Sequence, residues 1–121
     1  MDATRMLQVA TLLFLIGALG GLVMAAIRFG SRKVNPPTWL AMVHGLLGAS
    51  GLTLLIYATV AGDGPPSAAV AAVLLVLAAL GGVVLNLNYR WKDRLLPAWL
   101  VTAHAVLAVA GFALLAFAAF A

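Results

Sequence analysis

Apolar and polar positions in this chain are segregated into four long apolar stretches separated by short breaks rich in charge, proline or glycine. The stretches cover residues 6–27, 39–61, 68–87 and 99–120. Each is about 20 residues long, which is the length an α-helix needs to cross about 30 Å of hydrocarbon. The pattern therefore predicts four membrane-spanning helices.

Composition strengthens this prediction and removes several kinds of chemistry. The chain is 65% hydrophobic and 8% charged, with a mean hydropathy of +1.16, too apolar for a soluble globule of 121 residues. We expect an all-α, integral membrane four-helix bundle with up-down-up-down topology, forming one domain over residues 1–121. The absence of cysteine excludes disulfides, thiolate metal sites and iron–sulfur clusters. No acidic residue lies inside any stretch, which argues against a carboxylate-driven pump.

Basic residues are concentrated in two of the three loops. The first and third loops carry Arg28, Arg32, Lys33, Arg90, Lys92 and Arg94. The second loop and the C-terminus carry none, and short cytoplasmic loops are enriched in Lys and Arg. We therefore expect a bacterial inner-membrane protein with loops one and three cytoplasmic and both termini outside. The net charge of +4 is attributed to contact with membrane lipid and not to nucleic-acid binding.

The second and fourth stretches are copies of one motif. Residues 37–58 and 97–118 share nine identical residues out of 22, including Pro37 and Pro97, and His44 and His104. Each half of the chain is thus a helical hairpin, with repeat 1 over residues 6–61 and repeat 2 over 68–120. Both hairpins enter the membrane in the same direction, which predicts a pseudo-twofold axis along the membrane normal.

The two histidines are the only ionisable side chains deep within the apolar stretches. Each follows its proline by seven residues, so both imidazoles are expected about 10 Å from the same membrane face. The first and third stretches have a matched glycine pair at the same expected depth, Gly20-Gly21 and Gly81-Gly82. In an up-down-up-down bundle, histidines then lie on one diagonal and glycines on the other.

This arrangement suits a flat macrocycle such as haem, whose iron takes axial ligands from opposite faces. His44 and His104 are the predicted iron ligands, and glycines leave room for the ring edges. The predicted cofactor-binding set also includes glycines on the histidine faces and cations that could bind the propionates. Its members are Gly20, Gly21, Gly48, Gly51, Gly81, Gly82, Gly111, Arg28, Arg32 and Arg90.

In these residues the chain resembles the four-helix cores of membrane b-type cytochromes, in which histidines on alternate helices ligate haem and intervening glycines admit it. The resemblance is architectural, and its specific content is His44, His104 and the two glycine pairs. Those families usually place two histidines on each ligand helix and hold two haems. With one histidine on each helix, the resemblance implies a single bis-histidine haem b.

The expected function is electron transfer to or from a quinol, a soluble carrier or a partner subunit of a larger complex. No nucleophile, general base or nucleotide motif indicates an enzyme acting by itself. Three alternatives stay open. The histidines could be polar packing residues of a structural or assembly subunit, a proton-sensitive pair in a small transporter, or ligands of a bare metal ion. The glycines could be helix-packing sites.

Overall fold

The computed structural model describes residues 1–121 and is entirely helical. Four long α-helices are present: α1 (Ala3–Arg28), α2 (Thr38–Val60), α3 (Pro66–Val84) and α4 (Ala98–Phe120). A π-helical turn (Leu85–Tyr89) and a 3-10 turn (Arg90–Lys92) extend α3. All four helices are long and apolar enough to span a membrane, which confirms the predicted all-α architecture and indicates an integral membrane protein.

Each helix begins where its sequence favours a helix start. The Asp2 carboxylate caps α1 by accepting a hydrogen bond from the Arg5 backbone N–H at 2.8 Å. The other three helices each begin after a proline in extended conformation, Pro37, Pro65 and Pro97. Proline disfavours helical conformation in the residue before it, so these helices start at defined positions.

The first and third loops are joined to each other at one end of the bundle. The Asn35 side chain donates to the Arg94 carbonyl at 2.8 Å and accepts from the Leu96 N–H at 2.9 Å. Lys33 and Asp93, one in each loop, adopt the same left-handed conformation, with φ of 51° and 53°. We call this end, formed by residues 28–37 and 90–97, the basic end. The opposite, terminal end holds both termini and residues 61–65.

The helices form a four-membered ring. Helix α1 packs against α2 and α4, and α3 packs against the same two helices. The α1–α3 and α2–α4 pairs therefore lie on the two diagonals. This arrangement agrees with the predicted four-helix bundle, while the pseudo-twofold axis stays a prediction.

The closed apolar core occupies the half of the bundle next to the terminal end. It combines the beginnings of α1 and α3 with the last turns of α2 and α4. Its members are Leu7, Ala10, Leu55, Ala58, Ala68, Ala71, Ala72, Leu75, Leu115 and Ala119. The half next to the basic end contains no comparable cluster, and it is there that the histidines lie.

The outer surface of the bundle is strongly apolar. Only 18 of 121 residues are buried, while large side chains such as Leu22 and Leu46 are 66% and 64% exposed. Trp39 and Trp99 are also exposed, near the basic ends of α2 and α4. A surface of this kind needs lipid as its solvent, and tryptophans near helix ends are typical of the membrane interface.

Candidate cofactor site

The two histidines meet across the bundle. His44 on α2 and His104 on α4 are half-buried, and their ring centroids lie 6.1 Å apart with the ring planes at 69°. Each residue stands about two turns into its helix from the basic end. Sixty positions apart in the sequence, they are brought together by the diagonal arrangement of α2 and α4.

Each imidazole is anchored by one ring nitrogen to the neighbouring helix of its own hairpin. His44 Nδ1 lies 2.7 Å from the Gly17 carbonyl oxygen on α1, and His104 Nδ1 lies 2.6 Å from the Ala78 carbonyl oxygen on α3. A carbonyl oxygen only accepts, so Nδ1 carries the hydrogen and donates it in both residues. In the neutral ring, Nε2 then keeps its lone pair.

The Nε2 atoms remain available. Neither makes a hydrogen bond within the protein, and no buried side-chain nitrogen or oxygen lacks a partner, so neither Nε2 is sealed inside the fold. A half-buried nitrogen with a free lone pair is the form in which histidine binds metal ions. The site therefore presents two matched ring nitrogens, His44 Nε2 and His104 Nε2, that make no hydrogen bond in the protein.

Three of the four glycines in the matched pairs lie against the imidazoles. A Cβ atom added to Gly21 would stand 3.1 Å from His44 Cε1, and one added to Gly82 would stand 3.2 Å from His104 Cε1. A Cβ on Gly81 would lie 3.7 Å from the His104 Cβ, whereas one on Gly20 would lie 3.9 Å from Leu40. Within each hairpin the second glycine thus provides the space that the imidazole occupies. A further role beside a macrocycle stays a prediction.

The remaining predicted glycines lie farther from the histidines, toward the terminal end. A Cβ on Gly51 would approach the Phe14 ring to 2.8 Å, and one on Gly111 would approach Leu75 Cγ to 2.6 Å. Gly51 therefore packs closely against α1, and Gly111 packs closely against α3. Gly48 has nothing within 4 Å of the position of a Cβ atom. The structure gathers Gly21, Gly81 and Gly82 around the histidines but does not gather Gly48, Gly51 or Gly111 there.

Two of the predicted cations are bonded to backbone carbonyls, and the third is not. Arg28 donates from Nε to the Leu96 carbonyl at 2.6 Å, and Arg90 donates from Nη1 to the Pro36 carbonyl at 2.5 Å. Arg32 is exposed at the basic end and makes no hydrogen bond to the protein. All three lie on the same side of the histidines, and a guanidinium that spends one donor on a carbonyl keeps four more.

The groups of this site that the sequence does not reveal are the backbone carbonyls that accept hydrogen bonds from the histidines and arginines. The carbonyls of Gly17 and Ala78 carry no side-chain signal, although these residues stand at equivalent positions, just before the matched glycine blocks. The Leu96 and Pro36 carbonyls are also equivalent in the repeat. Only the repeat itself could have pointed to them, through their matched spacing.

The protein has no cluster of three or more His, Cys, Asp or Glu side chains that could hold a metal ion by itself. Two imidazoles leave most of the coordination sphere of a transition metal unfilled.

Comparisons of the chain with known protein families, with curated proteins and with solved structures yield no match. The likeness to membrane b-type cytochromes thus consists of the four-helix, membrane-spanning architecture.

Proposed function

We propose that the protein is a small b-type cytochrome of the membrane that binds one haem b through His44 and His104 and transfers electrons. One observation carries this proposal. Two imidazoles at equivalent positions have ring centroids 6.1 Å apart, and each is fixed through Nδ1 with Nε2 left without a hydrogen bond in the protein.

The separation of the rings fits a shared metal. Two imidazoles that shared one metal ion through bonds of about 2.0–2.1 Å would have ring centroids at most roughly 6 Å apart. The separation of 6.1 Å between His44 and His104 agrees with this value. A porphyrin supplies four nitrogen ligands, so two imidazoles would complete six-coordination without any further protein donor.

The Nδ1 hydrogen bonds also support metal ligation. Histidines that ligate metals usually donate the other ring N–H to a carbonyl or carboxylate, which fixes the ring orientation and raises the basicity of the ligating nitrogen. The Gly17 and Ala78 carbonyls serve this purpose for His44 and His104. We assign the haem propionates to the cations of the basic end, Arg28, Arg32 and Arg90, because carboxylates near hydrocarbon require charged partners.

Bound haem would supply a one-electron couple to this site. With His44 and His104 both holding the haem, its iron would have no open position for oxygen, which would favour electron transfer. The closed core at the terminal end contains no titratable side chain, so electrons would be exchanged near the basic end. A quinol, a soluble carrier or a partner subunit of a larger complex is the proposed redox partner, and we infer that the basic end is cytoplasmic.

The test is an absorption spectrum of the detergent-purified protein, oxidised and then reduced with dithionite. We expect a sharp low-spin b-type α band after reduction, with one haem per chain. His44→Ala and His104→Ala should each abolish the band. Thr102→Ala is the matched control, since the Thr102 hydroxyl faces away from the core and donates only to the Ala98 carbonyl of its own helix. A wild-type protein that stays colourless when expressed with ample haem would overturn the proposal.

A structural role is the second candidate, and the same hydrogen bonds favour it. Each histidine ties its helix to the other helix of its hairpin, which is what a polar packing residue in a membrane bundle does. In that case the protein is a structural or assembly subunit, or a transporter with a proton-sensitive pair. Folding and complex formation would then survive replacement of either histidine by asparagine, and no haem would bind.

A further inference from the structure

Arg28 and Arg90 make reciprocal contacts between the two hairpins. Arg28 ends the first helix of repeat 1, yet it donates to the Leu96 carbonyl of repeat 2. Arg90 follows α3 in repeat 2, and it donates to the Pro36 carbonyl of repeat 1. Each hydrogen bond therefore crosses from one hairpin to the other.

The accepting carbonyls lie at the starts of the two helices that carry the histidines. Leu96 and Pro36 each directly precede the proline that caps a histidine helix, and both residues are buried. From either carbonyl the chain runs through one proline into a continuous helix that reaches its histidine eight residues later. A rigid helix carries a displacement at its start along to the imidazole.

A local feature of the third helix makes the two contacts equivalent. Arg28 follows Gly21 by seven residues, whereas Arg90 follows Gly82 by eight. The π-helical turn Leu85–Tyr89 lies between Gly82 and Arg90, and a single π turn accommodates one extra residue in an α-helix. The turn thus brings Arg90 into the register in which it can mirror Arg28.

From this geometry we infer that Arg28 and Arg90 are positioning residues, each holding the histidine helix of the other hairpin and together setting the separation of His44 and His104. We call the two contacts the crossed arginine contacts. The inference rests on the proposed function and deepens it, because His44 and His104 could hold one haem only at a fixed separation. The crossed contacts themselves can be tested without haem.

The first readout is amide hydrogen exchange in the full-length protein in detergent. Arg28→Gln should accelerate exchange about tenfold in residues 98–104 and leave residues 38–44 unchanged, because a hydrogen bond from a charged donor is lost on that side only. Arg90→Gln should give the reverse pattern. Lys92→Gln, which removes an exposed cation at the same end, should change neither segment.

The second readout is binding of carbon monoxide to the reduced protein. Six-coordinate iron should bind little carbon monoxide in the wild type, and Arg28→Gln and Arg90→Gln should each raise the bound fraction several-fold by loosening one histidine. If either glutamine variant does not accumulate in the membrane, the corresponding lysine variant, which keeps the charge with a shorter reach, should show a smaller change in the same direction.

The outcomes separate the two proposals. Equal acceleration of amide hydrogen exchange in residues 98–104 and 38–44, or no acceleration in either, would overturn the inference from the crossed arginine contacts. If the wild type binds haem, the crossed pattern of amide hydrogen exchange without any rise in carbon monoxide binding would show that the contacts do not control the imidazoles, which also overturns the inference. The crossed pattern in a protein whose wild type binds no haem would overturn the proposed function and leave the arginine contacts standing.

Discussion

An imidazole inside a membrane bundle carries two polar ring nitrogens, and burial of either one unpaired in hydrocarbon costs several kcal/mol. His44 and His104 each satisfy one nitrogen on a backbone carbonyl and leave the other free. The rings reach these carbonyls beside Gly21 and Gly82, where an added Cβ would crowd an imidazole at 3.1 or 3.2 Å. At the residue scale, the glycine and the histidine of each hairpin form one unit.

This dependence predicts the effect of adding one methyl group. Gly21→Ala and Gly82→Ala place a Cβ at 3.1 and 3.2 Å from an imidazole Cε1, so each should displace its ring. We expect lower haem occupancy and a partly high-spin spectrum in both variants.

The matched control is Gly45→Ala, one residue after His44, where a Cβ would meet nothing within 4 Å. That variant should keep the wild-type spectrum, and its helix should gain up to about 1 kcal/mol from the better propensity of alanine. Spectra of Gly21→Ala and Gly82→Ala identical to that of Gly45→Ala would contradict the contact.

At the scale of elements, the two hairpins form the same loop conformations and helix starts from slightly different sequences. The loops match in their left-handed residues, Lys33 and Asp93, and the helix starts match in their prolines. The first and third helices differ by one residue between the glycine pair and the arginine. The π turn after α3 absorbs that difference locally.

Removal of the extra residue should therefore be tolerated. Deletion of Leu87, an exposed residue within the π turn, should convert the turn to regular α-helix and keep Arg90 in place. Deletion of Val23, an exposed residue between Gly21 and Arg28 on regular α1, should rotate Arg28 by about 100° and break its contact with Leu96.

Far-UV circular dichroism, thermal unfolding and the haem spectrum distinguish the two deletions. The Leu87 deletion is expected to melt within a few degrees of the wild type, and the Val23 deletion well below it. If the Leu87 deletion were the more damaging of the two, the interpretation of the π turn as a register adjustment would be wrong.

At the scale of the whole molecule, packing differs between the two halves of the bundle. The half next to the terminal end is filled by small and branched apolar side chains, with Leu7, Leu55 and Leu115 fully buried. The half next to the basic end is held together by polar contacts to backbone carbonyls, from Asn35, Arg28 and Arg90 and from the two histidines. Apolar packing therefore closes one end of the bundle, and polar contacts to backbone carbonyls join the helices at the other.

The orientation of this asymmetric bundle is open to a direct test, because the chain has no cysteine. Ser31→Cys at the basic end should react with a membrane-impermeant maleimide only after cells are permeabilised. Asp63→Cys at the terminal end should react in intact cells, since the charge bias of the loops predicts that this end is outside. Both positions are exposed, and the reverse labelling pattern would overturn the predicted topology.

Several features followed from the sequence alone. Four apolar stretches of spanning length required four helices, because hydrocarbon excludes any backbone that does not satisfy its own hydrogen bonds. The repeat placed His44 and His104 seven residues from equivalent prolines, and a constant rise per residue then put both at one depth. The helix boundaries at Pro37 and Pro97 were likewise determined by local backbone chemistry.

Tertiary structure decided what these residues touch. The contact partners depend on how each helix is rotated and which neighbour it packs against, and neither quantity is contained in hydropathy or spacing. The fold alone therefore directed the imidazoles to the Gly17 and Ala78 carbonyls and packed Gly51 and Gly111 against apolar side chains. It also carried the arginine contacts from one hairpin to the other, since such contacts arise only when two repeats close into one bundle.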